Sequence, residues 1–446
     1  MEKSIMKIKR LIVEELYGHI NYDINFNNDI TFLYGDNGCG KTTILNIVTF
    51  IITGKIYKLF DYQFKEIKLI YQPSNSKKTQ EIIVNSTENN DITLEFLSEV
   101  ATLQQHMEYM NKPSEEREDL NRLYFSKYPI LESIRNTFNY IYLPLNRNSS
   151  LVIDSPYVYR NRRMAQMRYN HSKGRFSDSK FDPTLYEVET LVANAHNKAT
   201  STLNRINEEF SDSILKSSLD IENIISMDKI VQYMLSLNSA KIKEMQTEYI
   251  NVLKTLNKWD SASSNKVNAF FDSLQRDISN SKENNNKVDI RFFFKLSEVS
   301  KITNIIDKAA DVEKAKKEAR SPLETFLLTV NRFISNGGKK EICIDEDGII
   351  FLKTNDQKSI GIQNMSSGEK QIVTFFAYLI FGLENTNQSI FIVDEPELSL
   401  HLNWQRQFVD SIMEINHSVQ LIFATHAPEM IGRYRNKAIK LIPEVE

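Results

Sequence analysis

Ser389-Ile390-Phe391-Ile392-Val393-Asp394-Glu395-Pro396-Glu397 decides how this chain is read. The apolar run reads as a buried strand that ends in two acids. Ejecting two carboxylates from a buried strand has no packing rationale. Each charge is costly to bury unless a cation or a water network answers it. Asp394 is therefore expected to hold a divalent cation. Glu395 is expected to orient and deprotonate a water molecule. Glu397 reads as a structural or surface acid.

Working outward, the complementary phrase lies far upstream. Gly35-Asp36-Asn37-Gly38-Cys39-Gly40-Lys41-Thr42 follows an expected strand (30–34) and precedes an expected helix (41–52). Glycines at that spacing let backbone N–H groups point into a phosphate-sized nest, and the helix N-terminus adds partial positive charge. Lys41 is expected to reach the β- and γ-phosphates of a nucleotide, and Thr42, with Thr43 beside it, the region of a Mg²⁺ ion. ATP and Mg²⁺ are the expected cofactors. His426, in Ala424-Thr425-His426-Ala427-Pro428, follows the last apolar strand and is placed for a γ-phosphate contact. Catalysis is assigned to Glu395, His426 and Lys41.

Met365-Ser366-Ser367-Gly368-Glu369-Lys370-Gln371 opens a long apolar helix. Alone it is a helix N-cap. With the other three phrases in this order, it resembles the signature of the ABC ATPase superfamily, Met365 to Glu369 standing for Leu-Ser-Gly-Gly-Gln. The resemblance implies that Ser366, Ser367 and Gly368 face a nucleotide bound by a second copy, so the chain is expected to form at least a homodimer. Ser367 and Glu369 depart from the transporter pattern, towards the branch that holds Rad50, RecF and the OLD nucleases. Asp394-Glu395-Pro396-Glu397-Leu398-Ser399-Leu400-His401, with Asn403-Trp404-Gln405, is similar to the OLD-like ATPases of antiviral systems. Tyr142-Leu143-Pro144 leading to Arg147 is similar to their mid-domain strand. The chain ends soon after His426, so the nuclease domain of OLD proteins is expected on a separate subunit. That layout resembles the ATPase subunits of two-component systems, first PARIS (the AriA type), next Septu (the PtuA type). It implies a separate TOPRIM or HNH nuclease toxin as partner, and a phage-encoded trigger protein as a further one. The alternative is a RecF- or Rad50-like repair ATPase that binds DNA directly. A hook-bearing arm would need cysteines, and the middle of the chain has none.

Composition agrees with a soluble globular protein. Of 446 residues 41% are hydrophobic and 25% charged, and the net charge of −3 argues against a global basic field for nucleic acid. Two cysteines, Cys39 and Cys343, leave no disulfide framework and suggest a reducing cytoplasm. The N-terminus reads as a strand rather than a signal peptide, and no apolar run is long enough to cross a bilayer.

The expected architecture is α/β: an ABC-type head of the Rad50/OLD kind, formed from the N- and C-terminal halves, with an inserted α-helical domain. Its parts are 1–150, a basic segment at 151–182, a helical insertion at 183–322, and 323–446. Residues 67–97 are expected to form a β-hairpin. A loop is expected at Ser279–Lys287, and Ser321-Pro322 is expected to end the last helix. Within 157–175, six Lys/Arg with interleaved aromatic rings and no acid fit phosphate-backbone contact, an acidic protein partner or a solvated loop. The residue that senses the nucleotide from the middle of the head is left between Gln72, Asn146 and Arg147.

Overall fold

The computed structural model describes residues 6–73, 76–105, 117–144, 183–219, 237–255, 258–283, 290–335, 339–382, 390–415 and 419–445. Asn146, Arg147 and the basic segment 157–175 lie outside them.

In chain order the elements begin with strands β1 (Lys7–Leu16), β2 (Ile20–Asn25) and β3 (Ile30–Tyr34) and helix α1 (Lys41–Ile52). Strands β4 (Glu66–Gln72), β5 (Gln80–Ser86), β6 (Ile92–Phe96) and β7 (Glu99–Leu103) follow. Next come α2 (Arg117–Lys127), α3 (Pro129–Thr137) and β8 (Tyr140–Pro144). Four long helices succeed them: α4 (Pro183–Leu219), α5 (Ser239–Thr255), α6 (Ser261–Glu283) and α7 (Ile290–Ile334). The chain then forms β9 (Lys340–Ile344), β10 (Ile350–Thr354), β11 (Ser359–Gly361), α8 (Ser367–Phe381), β12 (Ile390–Asp394) and α9 (Leu402–Ile415). Strand β13 (Gln420–Ala424), the short α10 (Pro428–Ile431), β14 (Ala438–Lys440) and β15 (Glu444–Val445) complete it.

Two compact units result, one from 1–195 with 323–446 and the other from 196–322. The first is an α/β head built from both halves of the chain, and the second is the helical insertion. The head holds a five-stranded sheet in the order β14-β3-β13-β12-β8, parallel throughout, and a seven-stranded sheet in the order β15-β2-β1-β4-β5-β6-β7. Strands β9–β11 make a third, antiparallel sheet.

Both faces of the parallel sheet are covered, which is why its strands read as unbroken apolar runs. On one face, Ile390, Ile392 and Ile422 join α1 and the antiparallel sheet in a common core. On the other, Phe391, Val393, Leu421 and Phe423 pack with Phe375 and Phe376 of α8, Phe408 of α9 and Phe333 of α7. The insertion has its own small core around Ile242, Met245, Phe271, Leu274 and Val299. Among the described residues no helix is long and apolar enough to cross a membrane.

Three local expectations differ. The strands expected at 67–71, 81–85 and 92–96 are present as β4–β6, but in a seven-stranded sheet extended by β7 rather than in a hairpin. The turn into β7 uses Leu97 (φ 48°) and Ser98 (φ 68°), residues that carry no ordinary signal for a left-handed turn. Helix α6 runs on to Glu283, into the expected loop, of which 284–289 lie outside the described residues. Pro322 does not end α7; it sits inside a 45-residue helix. An interior proline costs about 3 kcal/mol. Phe326, Val330 and Phe333, all fully buried beyond it, return roughly 1.5–3 kcal/mol each, so packing overrides the breaker.

Gln420, fully buried at the start of β13, joins the two large sheets. Its Oε1 accepts from Ile8 N at 2.8 Å, and its Nε2 donates to Ile8 O at 2.7 Å and Asn27 O at 2.8 Å. Gln420→Leu would leave the Ile8 N–H and C=O buried without these partners, at about 1–3 kcal/mol per group, and would remove the half-buried bond to Asn27 O. A marked fall in melting temperature by circular dichroism is expected. An unchanged melting temperature would show the clamp to be dispensable.

Candidate functional site

The parallel register brings the chemistry-bearing residues to one edge. Asp394, last in β12, pairs with Ala424 of β13 and Pro144 of β8, and Ala424 pairs with Leu33 of β3. The Gly35–Thr42 loop, the Asp394-Glu395 pair and the Thr425-His426 turn therefore all leave the carboxyl ends of adjacent parallel strands. That edge is where open α/β sheets bind ligands.

The loop is braced from the antiparallel sheet. Tyr22 Oη donates to Cys39 O at 3.0 Å. Gly40 (φ 86°) allows that approach, since a Cβ there would lie 2.4 Å from Tyr22 Oη. Lys41 is buried and folds back on its own loop, donating to Gly35 O at 2.9 Å and Asp36 O at 3.0 Å. Cys39 Sγ lies 3.6 Å from the same ammonium. Asp36, Asn37, Gly38 and Thr42 are exposed, and Thr43 is half-buried.

The Thr42 side chain lies beside the Asp394 carboxyl, which is buried. Asp394 Oδ1 is also buried and has no hydrogen-bond partner. Burial pushes this carboxyl up to about 6; Glu395 and Glu397 add to the rise, while Thr42 and Lys41 oppose it. An orphaned carboxylate oxygen beside a threonine hydroxyl is a donor set a hard cation accepts. Among the described residues no three His, Cys, Asp or Glu side chains gather into a metal cluster. A cation here would draw its other ligands from phosphate or water.

Glu395 adopts a left-handed backbone (φ 53°) and donates its N–H to Ala424 O at 2.8 Å. For a non-glycine residue this conformation carries strain that the surroundings must hold. It leaves the carboxylate half-exposed, with Oε1 3.9 Å from His426 Nε2. Glu397 locks the arrangement from behind. Its carboxylate accepts from Thr425 Oγ1 at 2.8 Å and from His426 N at 2.6 Å, joining the turn after β12 to the turn after β13.

The helix α8 N-terminus abuts the same turn. Gln371 Nε2 donates to Pro396 O at 2.8 Å, and a Cβ on Gly368 would lie 2.6 Å from Ser399 O. Ser366 caps the helix in a reciprocal capping box with Glu369, while Ser366 and Ser367 stay exposed. Gln72 is placed elsewhere. It pairs with Lys7, beside the clamp at the amino end of β13, and its amide donates to Ser76 O at 3.0 Å. Sequence reading overlooked Gln371 and Lys340, which donates to Glu369 Oε1 at 2.9 Å. A glutamine in the first turns of an otherwise apolar helix was the one available signal.

A probable ATPase of retron Vc95 from Vibrio cholerae is 23% identical over 437 residues, covering 93% of this chain and 69% of that protein. A local stretch of 59 residues is 34% identical to the DNA double-strand break repair Rad50 ATPase of Methanopyrus kandleri, covering 13% of this chain and 7% of that one. Among solved structures, the Smc head domain with an extended coiled coil from Pyrococcus furiosus aligns over 99% of this chain and 96% of its own, at 14% identity and a TM-score of 0.42. The SMC head domain from Thermotoga maritima aligns over 99% and 98%, at 9% identity and a TM-score of 0.38. Residues 6–431 match the AAA ATPase domain family, nearly the whole chain. The chain belongs to the AAA ATPase domain family and is an ATPase.

Proposed function

We propose that the chain binds ATP with Mg²⁺ at the carboxyl edge of its parallel sheet and assembles with a second copy through that nucleotide. The observation that carries this reading is Asp394: a buried carboxyl with one oxygen unpartnered, set beside Thr42 of the glycine-rich loop. Backbone N–H groups of Gly38 to Lys41 and the α1 N-terminus cradle the phosphates. Lys41 serves the β- and γ-phosphates, and Thr42 and Asp394 hold the cation. When bound, Mg²⁺ neutralises phosphate charge and fixes the phosphate oxygens. Glu395 orients the attacking water and takes its proton, and His426 contacts the γ-phosphate. The exposed Ser366, with Ser367 and Gly368, serves the nucleotide of the other copy.

The physiological reading is a regulatory ATPase of a two-component defence system in the cytoplasm, one that controls a separate nuclease toxin and answers a phage-encoded trigger. Similarity to an ATPase named for a retron supports a defence-like setting, and the PARIS and Septu resemblance supplies the nuclease. The local Rad50 match keeps a second reading, a repair ATPase that binds DNA ends. Strong stimulation of ATP turnover by DNA in the isolated protein would favour it.

Glu395→Gln is expected to slow turnover on the order of a hundredfold or more and to trap ATP-bound assemblies on size exclusion. Lys41→Ala is expected to abolish nucleotide binding in calorimetry. Normal turnover by Glu395→Gln would overturn the assigned base.

Asp394 makes a separate prediction about stability. Its folded carboxyl titrates at about 6 against 3.8 unpaired, so the folded state binds the extra proton in that window. Its stabilising effect is full below about pH 4 and is lost as pH rises through 6, on the order of 3 kcal/mol in all. Without nucleotide at pH 7.5, Asp394→Asn is expected to melt higher than the parent while losing turnover. An Asp394→Asn protein that melts lower would refute the burial cost.

A further inference from the structure

The helix that opens at Ser366 carries a buried negative charge where a triphosphate is to be received. Glu369 is 6% exposed and lies in the first turn of α8. Its Oε2 accepts from Ser366 N at 2.8 Å, and its own N–H donates to Ser366 Oγ at 3.4 Å. These two bonds complete the capping box without help from any cation. Yet Lys340, at the start of β9, reaches Glu369 Oε1 at 2.9 Å. Burial would raise the Glu369 carboxyl, but the Lys340 hydrogen bond, the Ser366 hydrogen bonds and the Lys340 charge together hold it below its ordinary value. The acid is therefore a fixed anion close behind an exposed serine.

That anion is at odds with the task assigned to the surface. A helix N-terminus attracts phosphate through its partial positive charge. A full negative charge within the first turn cancels that attraction unless a cation answers it. A glutamine would serve the capping box equally well. The cation is thus explained by the charge of Glu369, not by the cap.

We propose that Lys340 is a positioning residue for the nucleotide of a second copy. It neutralises Glu369, so that the α8 N-terminus and the Ser366 hydroxyl present a net attractive surface to the triphosphate. This rests on the reading that Ser366 serves the other copy's ATP. It assigns β9, an element outside the nucleotide-binding edge, a part in assembly.

The test is a charge cycle in the Glu395→Gln background, which is expected to hold ATP-bound assemblies. Self-association with ATP and Mg²⁺ is measured by sedimentation, and ATP binding by calorimetry on dilute protein. Lys340→Met keeps the alkyl stem and removes the charge. It is expected to weaken ATP-dependent association roughly tenfold or more, the scale of an unanswered like charge at an interface, while ATP binding by the dilute chain stays unchanged. Lys340→Arg is expected to associate like the parent. Adding Glu369→Gln to Lys340→Met is expected to restore association, since no anion remains to be answered. Removing both partners of a buried pair would also relieve a structural defect, so salt dependence is read beside the rescue. The Lys340→Met deficit is expected to shrink at high salt, and a deficit that does not, or a double variant as weak as Lys340→Met, overturns the proposal. Parent-like association by Lys340→Met overturns it as well. If Lys340→Met folds poorly, the comparison of Glu369→Gln with and without Lys340→Met decides, and a large difference between those two overturns it. If the Glu395→Gln parent itself fails to associate with ATP, the two-copy reading falls, and this inference falls with it.

Discussion

Parallel pairing of β13 with β3 on one side and β12 on the other is the constraint on which the rest depends. Leu33, Ala424 and Asp394 stand in one row across three strands drawn from opposite ends of the chain. Because side chains alternate along a strand, a one-residue slip would turn Asp394 away from the phosphate-binding loop and turn the apolar set on each face outward. Gln420 guards that register at the other end of β13. It satisfies backbone groups of Ile8, 412 residues away in sequence, and of Asn27. Loop-closure entropy grows only slowly with length. Once the two ends of the chain are paired, a long helical insertion between them is therefore tolerated.

The same row concentrates unfavourable features. Asp394 is buried with an unpartnered oxygen, and Glu395 holds a backbone that few residues adopt without help. Their support is local and polar. Glu397 ties the two turns together through Thr425 and His426, and Gln371 fixes Pro396 from α8. Aromatic packing beneath adds rigidity, with Phe375 4.4 Å from Phe408 and 5.0 Å from Phe391 between ring centroids. A site that stores cost in its acids and rigidity in their supports fits the usual trade of stability for activity.

The turn and helix at Gly35–Ile52, the acids at the end of β12 and the assembly of the head from both termini were legible in sequence, because each rests on a short pattern: glycine spacing, an unbroken apolar run, an acid where an acid should not be. What escaped was decided by partners far away in sequence. The Gln420 clamp and the Lys340–Glu369 pair join elements that no local periodicity relates. Pro322 carried a true local signal that buried residues beyond it overruled. The β6–β7 turn failed for the opposite reason, since Leu97 and Ser98 give no local signal at all. Glu397 was read as a structural or surface acid, and nothing local told which of the two or what it holds.

The departures of the Ser366–Glu369 phrase from the ABC pattern it resembles follow from the same geometry. Gly368 cannot carry a side chain, because a Cβ there would meet Ser399 O at 2.6 Å where α8 touches the turn after β12. Ser367 is exposed, so a hydroxymethyl group is accommodated there where the pattern has glycine. Glu369 keeps the capping role that glutamine would fill, and its added charge is met by Lys340. Of the two glycines in the pattern, one is held by contact with the turn that follows Asp394 and Glu395, and the other is not. The contact at Gly368 ties the N-terminus of α8, with the exposed Ser366 and Ser367, to the turn that follows Glu395.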